Sequence, residues 1–156
     1  GFTAHYARRN GAEVVYLETR ESRRSVHLVS RVGRTLPSYA TALGKALLAE
    51  LTHDEIGQLL PAALPALTPN TVTTLDELHS HCATARERGY AAEVEEGTPG
   101  VRCVAAVIPY RIPATDAMSC SMPVDQVTDT DAKRVGELLV ETTTELGQRL
   151  RRAGIR

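Results

Sequence analysis

The sequence predicts an α+β domain built on a largely antiparallel sheet. Three observations carry this. An Asn10-Gly11 pair before a strand-forming run marks a hairpin near the start. Two boxes of the form Thr-x-x-Glu, Thr52 to Glu55 and Thr74 to Glu77, open helices in the middle of the chain. Three strand-like runs then follow one another, Tyr90 to Val94, Val101 to Ile108 and Thr115 to Met122, ahead of a last helix. Strands adjacent in sequence, with helices grouped apart, pair antiparallel instead of alternating as in a parallel sheet.

Phe2 to Tyr6 and the run Val14-Val15-Tyr16-Leu17 are the arms of the hairpin. Val26, Leu28 and Val32 stand at even spacing and predict a third strand ending near Gly33. Pro37 biases Leu36 towards an extended shape, and a helix is expected from Ala40 or Thr41 to about Glu50. The Thr52 box starts a short helix that runs to Leu60, and Pro61 to Pro69 reads as a loop. After Thr74, the residues Leu75, Leu78, Cys82 and Ala85 share one helical face. Arg86 and Arg88 suit the end of that helix, and Gly89 is its expected stop. Glu95 to Gly100 is a loop with a Pro-Gly turn, and Pro109 to Pro113 is a turn. Thr128 caps the last helix, whose buried stripe is expected at Val135, Leu138, Leu139, Thr142, Leu146 and Leu150, with Thr142 the weak position.

Length and composition bound the function. The 156 residues make one domain, 1–156, and a chain of this size buries roughly 70% of its unfolded surface, so it needs no metal or disulfide staple. Net charge is -1, which argues against a large nucleic-acid footprint in this stretch. No apolar run approaches the ~20 residues of a membrane helix, and no signal-peptide pattern opens the chain. Three cysteines without framework spacing read as free thiols in a reducing compartment. The start at Gly1, without methionine, is what a piece of a longer protein would show.

Few residues offer chemistry. The stretch LPSYATALGKALLAEL, Leu36 to Leu51, sets small polar residues at the mouth of a helix, where unpaired N–H groups and a partial positive charge suit a carboxylate. An ordinary cap at Thr41 with Gly44 as a packing residue explains the same stretch. Lys45 follows Gly44, but the remaining residues of a phosphate loop are missing. Ser119 and Ser121 are two apart on a strand and face one side. They form either a polar pocket or a solvent face, with Met118, Cys120 and Met122 packing behind. Cys103 reads as a pocket wall or a buried structural thiol, and Val101 points the same way. Glu93 reads as a pocket group or an exposed acid at a strand end. The five histidines sit in no hydrolase pattern, so no activated nucleophile or base stands out and no enzyme is expected. His79 and Cys82 share a helix face, but Cys82 belongs to the apolar stripe and reads as core, so no metal site is expected.

Four blocks in order give the chain a relation. EVVYLETRES (Glu13 to Ser22), LPSYATALGKALLAEL, RERGYAAEVEEGTPGVRCVAA (Arg86 to Ala106) and SCSMP (Ser119 to Pro123) together resemble the effector-binding domain of IclR-family bacterial transcription regulators. The resemblance covers nearly the whole chain. It implies a GAF-like fold, a curved antiparallel sheet of about six strands flanked by helices, with a ligand pocket on one face. It also implies an N-terminal winged helix-turn-helix domain outside this stretch, through which alone DNA would be bound. A homodimer or homotetramer, a cytoplasmic location and no cofactor are implied as well.

By matching position, the resemblance gives Leu36 as an apolar wall, Ala42 and Leu43 as backbone N–H donors, and Cys103, Ser119 and Ser121 as polar contacts to a small organic acid. Glu93 stands where the family often has Asp. Glu95 and Glu96 match an acidic pair read as structural or rim. Tyr39 and Tyr110 would overhang the pocket and point to an aromatic effector. The leading expectation is a ligand-sensing regulatory domain. The alternatives are an oligomerisation module with a vestigial pocket, joined through the Val14 to Leu17 hairpin and the last helix, and a small-molecule enzyme on the same scaffold.

Overall fold

The computed structural model describes residues 2–22 and 32–156. Six strands form one antiparallel, curled sheet in the order β3-β2-β1-β6-β5-β4. They are β1 (Thr3–Asn10), β2 (Glu13–Arg20), β3 (Thr35–Pro37), β4 (Ala91–Val94), β5 (Val101–Val107) and β6 (Asp116–Pro123). Gly11 turns the β1–β2 hairpin with φ 61°, a conformation that costs glycine least. Val26 and Leu28 lie outside the described residues. Val32 and Gly33 sit in a turn, and the strand follows them instead of ending there.

Four helices lie among the described residues: α1 (Ala42–Leu48), α2 (His53–Leu59), α3 (Leu75–Arg88) and α4 (Asp129–Arg152). Thr52 and Glu55 complete a capping box, as do Thr128 and Asp131, while Thr74 accepts from the Glu77 N–H. Gly89 ends α3 with φ 87°. Helices α1 to α3 share the larger core with the inner face of the sheet, where Val14, Tyr16, Leu43, Leu47, Leu78 and Ala105 meet. Helix α4 packs on the outer face against Tyr90, Val104, Ala106 and Met122.

The buried side of α4 differs from the expected stripe. Ala132, Gly136, Leu139, Thr143 and Gly147 are buried, whereas Leu138 is 61% exposed and Thr142 is on the surface. The reason is distance. A Cβ on Gly136 would stand 2.6 Å from the Tyr90 ring, and one on Gly147 would stand 2.9 Å from Pro109. The helix rides so close to the sheet that small residues face it, and the large ones lean along its flanks.

Asp116 ties the outer face together. It is 1% exposed and accepts from Tyr6 Oη at 2.6 Å, Arg8 Nε and Nη2 at 2.6 and 2.9 Å, and Tyr110 Oη at 2.8 Å. Burial alone would raise this carboxyl, but the bonds from Arg8, Tyr6 and Tyr110 outweigh it and hold the group at about 2. Burial and the same carboxylate push Tyr6 up to about 12. Because the folded value lies below the ordinary 3.8, the stabilisation is present above that value and is lost as pH falls towards 2. Asp116→Ala should cost about 2 kcal/mol in urea melts at neutral pH, because it strands the buried Tyr110 hydroxyl and removes the shared acceptor of Tyr6 and the half-exposed Arg8. The loss should shrink as wild type and variant are compared down through this acid window.

Candidate ligand-binding site

The site begins where the chain enters α1. Thr41 is extended (φ −129°, ψ 149°) and its hydroxyl accepts from the Gly44 N–H at 2.9 Å, while the Lys45 N–H bonds the Thr41 carbonyl at 3.0 Å. That leaves the N–H groups of Ala42 and Leu43 without a partner among the described residues. The turn before the helix is held by Ser38, whose N–H and hydroxyl both donate to the Ala12 carbonyl. A Cβ on Gly44 would fall 2.0 Å from the Ser38 carbonyl oxygen, so only glycine lets the helix start pack there. Gly97 approaches in the same way, with room of only 2.7 Å between an added Cβ and the Ala40 carbonyl.

The sheet supplies the opposite wall. Strand pairing lines up Glu93, Cys103 and Ser121 across β4, β5 and β6, with Ser119 one step along. Ser119 and Ser121 are 2% and 6% exposed, and Met118, Cys120 and Met122 pack behind against the α4 core, as the alternation predicts. The solvent-face reading of the serines is therefore wrong. Cys103 Sγ lies 3.2 Å from Ser121 Oγ, and Ser119 Oγ has no partner among the described residues. Thr3, opposite Ser121 on β1, carries a buried hydroxyl in the same unpartnered condition.

All eight residues singled out in the sequence, Leu36, Ala42, Leu43, Glu93, Val101, Cys103, Ser119 and Ser121, border one cavity. Five more border it that sequence reasoning missed: Tyr16, Ala40, Thr41, Gly97 and Thr98. Tyr16 had a usable signal, since it alternates with Val14 on the hairpin strand. Gly97 and Thr98 had none, because a loop's approach is set by the fold. The space open to water centres is ≈ 20 Å³, little more than one water occupies. Tyr39 and Tyr110 do not overhang it, contrary to expectation. Tyr39 Oη donates to the Pro65 carbonyl and Tyr110 Oη to Asp116, which turns both rings elsewhere.

Glu93 is not an exposed strand-end acid. It is 6% exposed, and its Oε2 accepts from the Glu96 N–H at 2.8 Å. Burial pushes its carboxyl up, against the pull of the Glu96 N–H and Cys103. Glu95 and Glu96 are structural. Glu95, with φ 56°, accepts from the Gly100 N–H at 2.7 Å. Glu96 takes the Lys45 ammonium on both oxygens, at 2.6 and 2.7 Å, and Lys45 also donates to His81 Nδ1 at 2.7 Å. Lys45 is 0% exposed. Its burial was readable: apolar residues surround it on every side of the α1 turn, so the ammonium had to find an internal partner. Elsewhere, His79 stacks on His53 at 3.8 Å and Cys82 is core, its thiol pushed up to about 11 by burial.

A curled antiparallel sheet whose polar inner row faces a helix mouth across a narrow cavity is the build of a small-molecule-binding domain, and known proteins agree. The profile of the bacterial transcriptional regulator IclR C-terminal family matches residues 1–148, and the chain belongs to this family. It is 36% identical over 152 residues to the HTH-type transcriptional regulator XynR of Escherichia coli K12, covering 96% of this chain and 60% of that one. Its fold is similar to the crystal structure of the Agobacterium tumefaciens repressor BlcR (TM-score 0.89, 31% identity, 99% of this chain and 61% of that one). It is similar too to a double mutant of the inducer-binding domain of Acinetobacter PobR in complex with 3-hydroxybenzoic acid (TM-score 0.81, 25% identity, 94% of this chain and 87% of that one). The chain thus spans about 60% of the length of the regulator XynR. Among the described residues, no helix is long and apolar enough to cross a membrane.

Two substitutions test this architecture. Gly44→Ala should cost roughly 3 kcal/mol or more in thermal melts, since the backbone of Ser38 cannot give way as a side chain could. Lys45→Met should cost about 3–5 kcal/mol by stranding the Glu96 carboxylate, and adding Glu96→Gln should restore a large part of it, as a double-mutant cycle would read.

Proposed function

We propose that this chain is the sensing domain of a bacterial transcription regulator and that its cavity takes a small organic acid. The observation that carries the reading is convergence. Two unpartnered amides, at Ala42 and Leu43, and two buried hydroxyls, at Ser119 and Ser121, border one cavity. A carboxylate placed between them would accept from both sides. Leu36, Val101 and Cys103 would contact its carbon skeleton, and Glu93 its far polar atom. The small cavity favours an acid of a few carbons over an aromatic one unless the wall moves.

Binding would work through assembly. The exposed Leu138 on α4 and Leu17 on the hairpin are apolar surface that a second copy would cover in a homodimer or homotetramer. A ligand that prefers one arrangement of the copies would shift the population towards it, and so reset the spacing of DNA-binding domains carried elsewhere in the protein. The shift cannot exceed the ligand's difference in affinity between the arrangements. The free thiols fit a cytoplasmic setting.

The tightness of the cavity also supports a second reading, an assembly module whose pocket no longer binds. A thermal-shift screen against small acids separates the two. A ligand at about 100 times its Kd stabilises the fold by ~2.7 kcal/mol, which raises the midpoint by roughly 5–10 °C in a domain of this size. Ser119→Ala combined with Ser121→Ala should abolish that rise while leaving the fold intact. A flat screen with an unchanged oligomer would favour the assembly module.

A further inference from the structure

The cavity holds a carboxyl group of its own. Glu93 borders it from β4, and its surroundings can be taken element by element. Cys103 of β5 pairs with it across the strands and hydrogen-bonds its side chain. The Glu96 carboxylate follows in the loop, and Tyr16 of β2 stands across the cavity. Lys45 of α1 is the cation in reach, but Glu96 holds it with both oxygens and His81 of α3 accepts its remaining contact. On the outer side, Glu77 and His81 of α3 share a surface groove with Glu93. Among the described residues, no uncommitted positive charge faces Glu93.

We propose that Glu93 sets the charge class of the ligand: the cavity admits a small monocarboxylate that carries a further acceptor oxygen and turns away a dicarboxylate of the same size. The inference rests on the acid-binding reading above. Two carboxylates sharing a poorly hydrated site do not both stay ionised, and one takes up a proton. The ligand carboxylate has the amides of Ala42 and Leu43 and the hydroxyls of Ser119 and Ser121 to support its charge. Glu93 has a single amide, the Glu96 N–H on Oε2, and beside it only the weakly donating Cys103 thiol. The proton therefore comes from solvent to Glu93. Burial already pushes this group up; the Glu96 N–H and Cys103 pull back, the Glu96 carboxylate adds to the rise, and Lys45 opposes it. Once protonated, the Glu93 carboxyl is a donor and meets an oxo or hydroxyl oxygen of the ligand. A second ligand carboxylate would crowd another negative charge into the same space and require a second proton.

The test is calorimetric titration of this domain with glyoxylate and pyruvate on one side and oxalate and malonate on the other. Wild type should bind a monocarboxylate at least roughly tenfold tighter than its dicarboxylate counterpart. It should take up about one proton per site, read from how the heat changes with buffer, and its affinity should fall as pH rises. Glu93→Gln should narrow the discrimination by about tenfold and remove the proton uptake. Should that variant fail to fold, wild-type discrimination and proton uptake decide alone. Equal affinity for both classes, or binding without proton uptake, overturns the proposal and leaves the acid-binding reading standing. Binding of none of the four probes, by wild type or variant, overturns both together.

Discussion

The buried ammonium of Lys45 is the constraint around which the site is organised. Every residue of α1 is buried, so this charge has no route to water and must be paired inside. Glu96 answers it with both oxygens, and to do so the loop after β4 must fold inwards. Thr68 and Thr71 fasten that loop by donating to the carbonyls of Glu95 and Glu96. Glu93 then accepts from the Glu96 N–H, and its carboxyl stands at the edge of the cavity. One buried cation thus recruits the loop, and the loop closes the pocket beside the helix mouth.

A second polar nexus lies on the other face of the sheet. Asp116 gathers Tyr6, Arg8 and Tyr110 at the start of β6, which fixes the register of β1 against β6. That register places Ser119 and Ser121 inward and Met118, Cys120 and Met122 outward. A slip of one residue would exchange the two sets and remove both hydroxyls from the cavity. The close approach of α4 at Gly136 and Gly147 packs the outward set and leaves Leu138 facing away. Stability and site are therefore linked through strand register, not through direct contact.

The cavity sets unpartnered donors opposite a buried polar wall. Its donors are left unpartnered by helix geometry at Ala42 and Leu43, where Thr41 satisfies only the next amide. Hydroxyls on the facing sheet are buried, and burying polar groups without full pairing costs free energy. Such a cost is offset when something else completes the bonds. In the proposed reading, the narrowness of the space limits the size of that partner and the carboxyl of Glu93 selects its charge.

Much of this was legible in the sequence, because it depends on local rules. Caps at Thr52, Thr74 and Thr128, the stop at Gly89, the hairpin at Asn10-Gly11 and the inward pair Ser119 and Ser121 follow from backbone geometry and the two-residue period of strands. Eight of the thirteen residues around the cavity followed from their positions in three of the four family-like blocks. What only the tertiary structure decided depends on distance between segments far apart in the chain. The Lys45–Glu96 pair spans 51 residues, and the orientation of Tyr39 towards Pro65 and of Tyr110 towards Asp116 is chosen by partners no local pattern names. The buried face of α4 belongs here too. Hydrophobic periodicity marks which side chains are apolar, but how close the helix lies decides which of them fit beneath it, and at Gly136 and Gly147 only the absence of a side chain did.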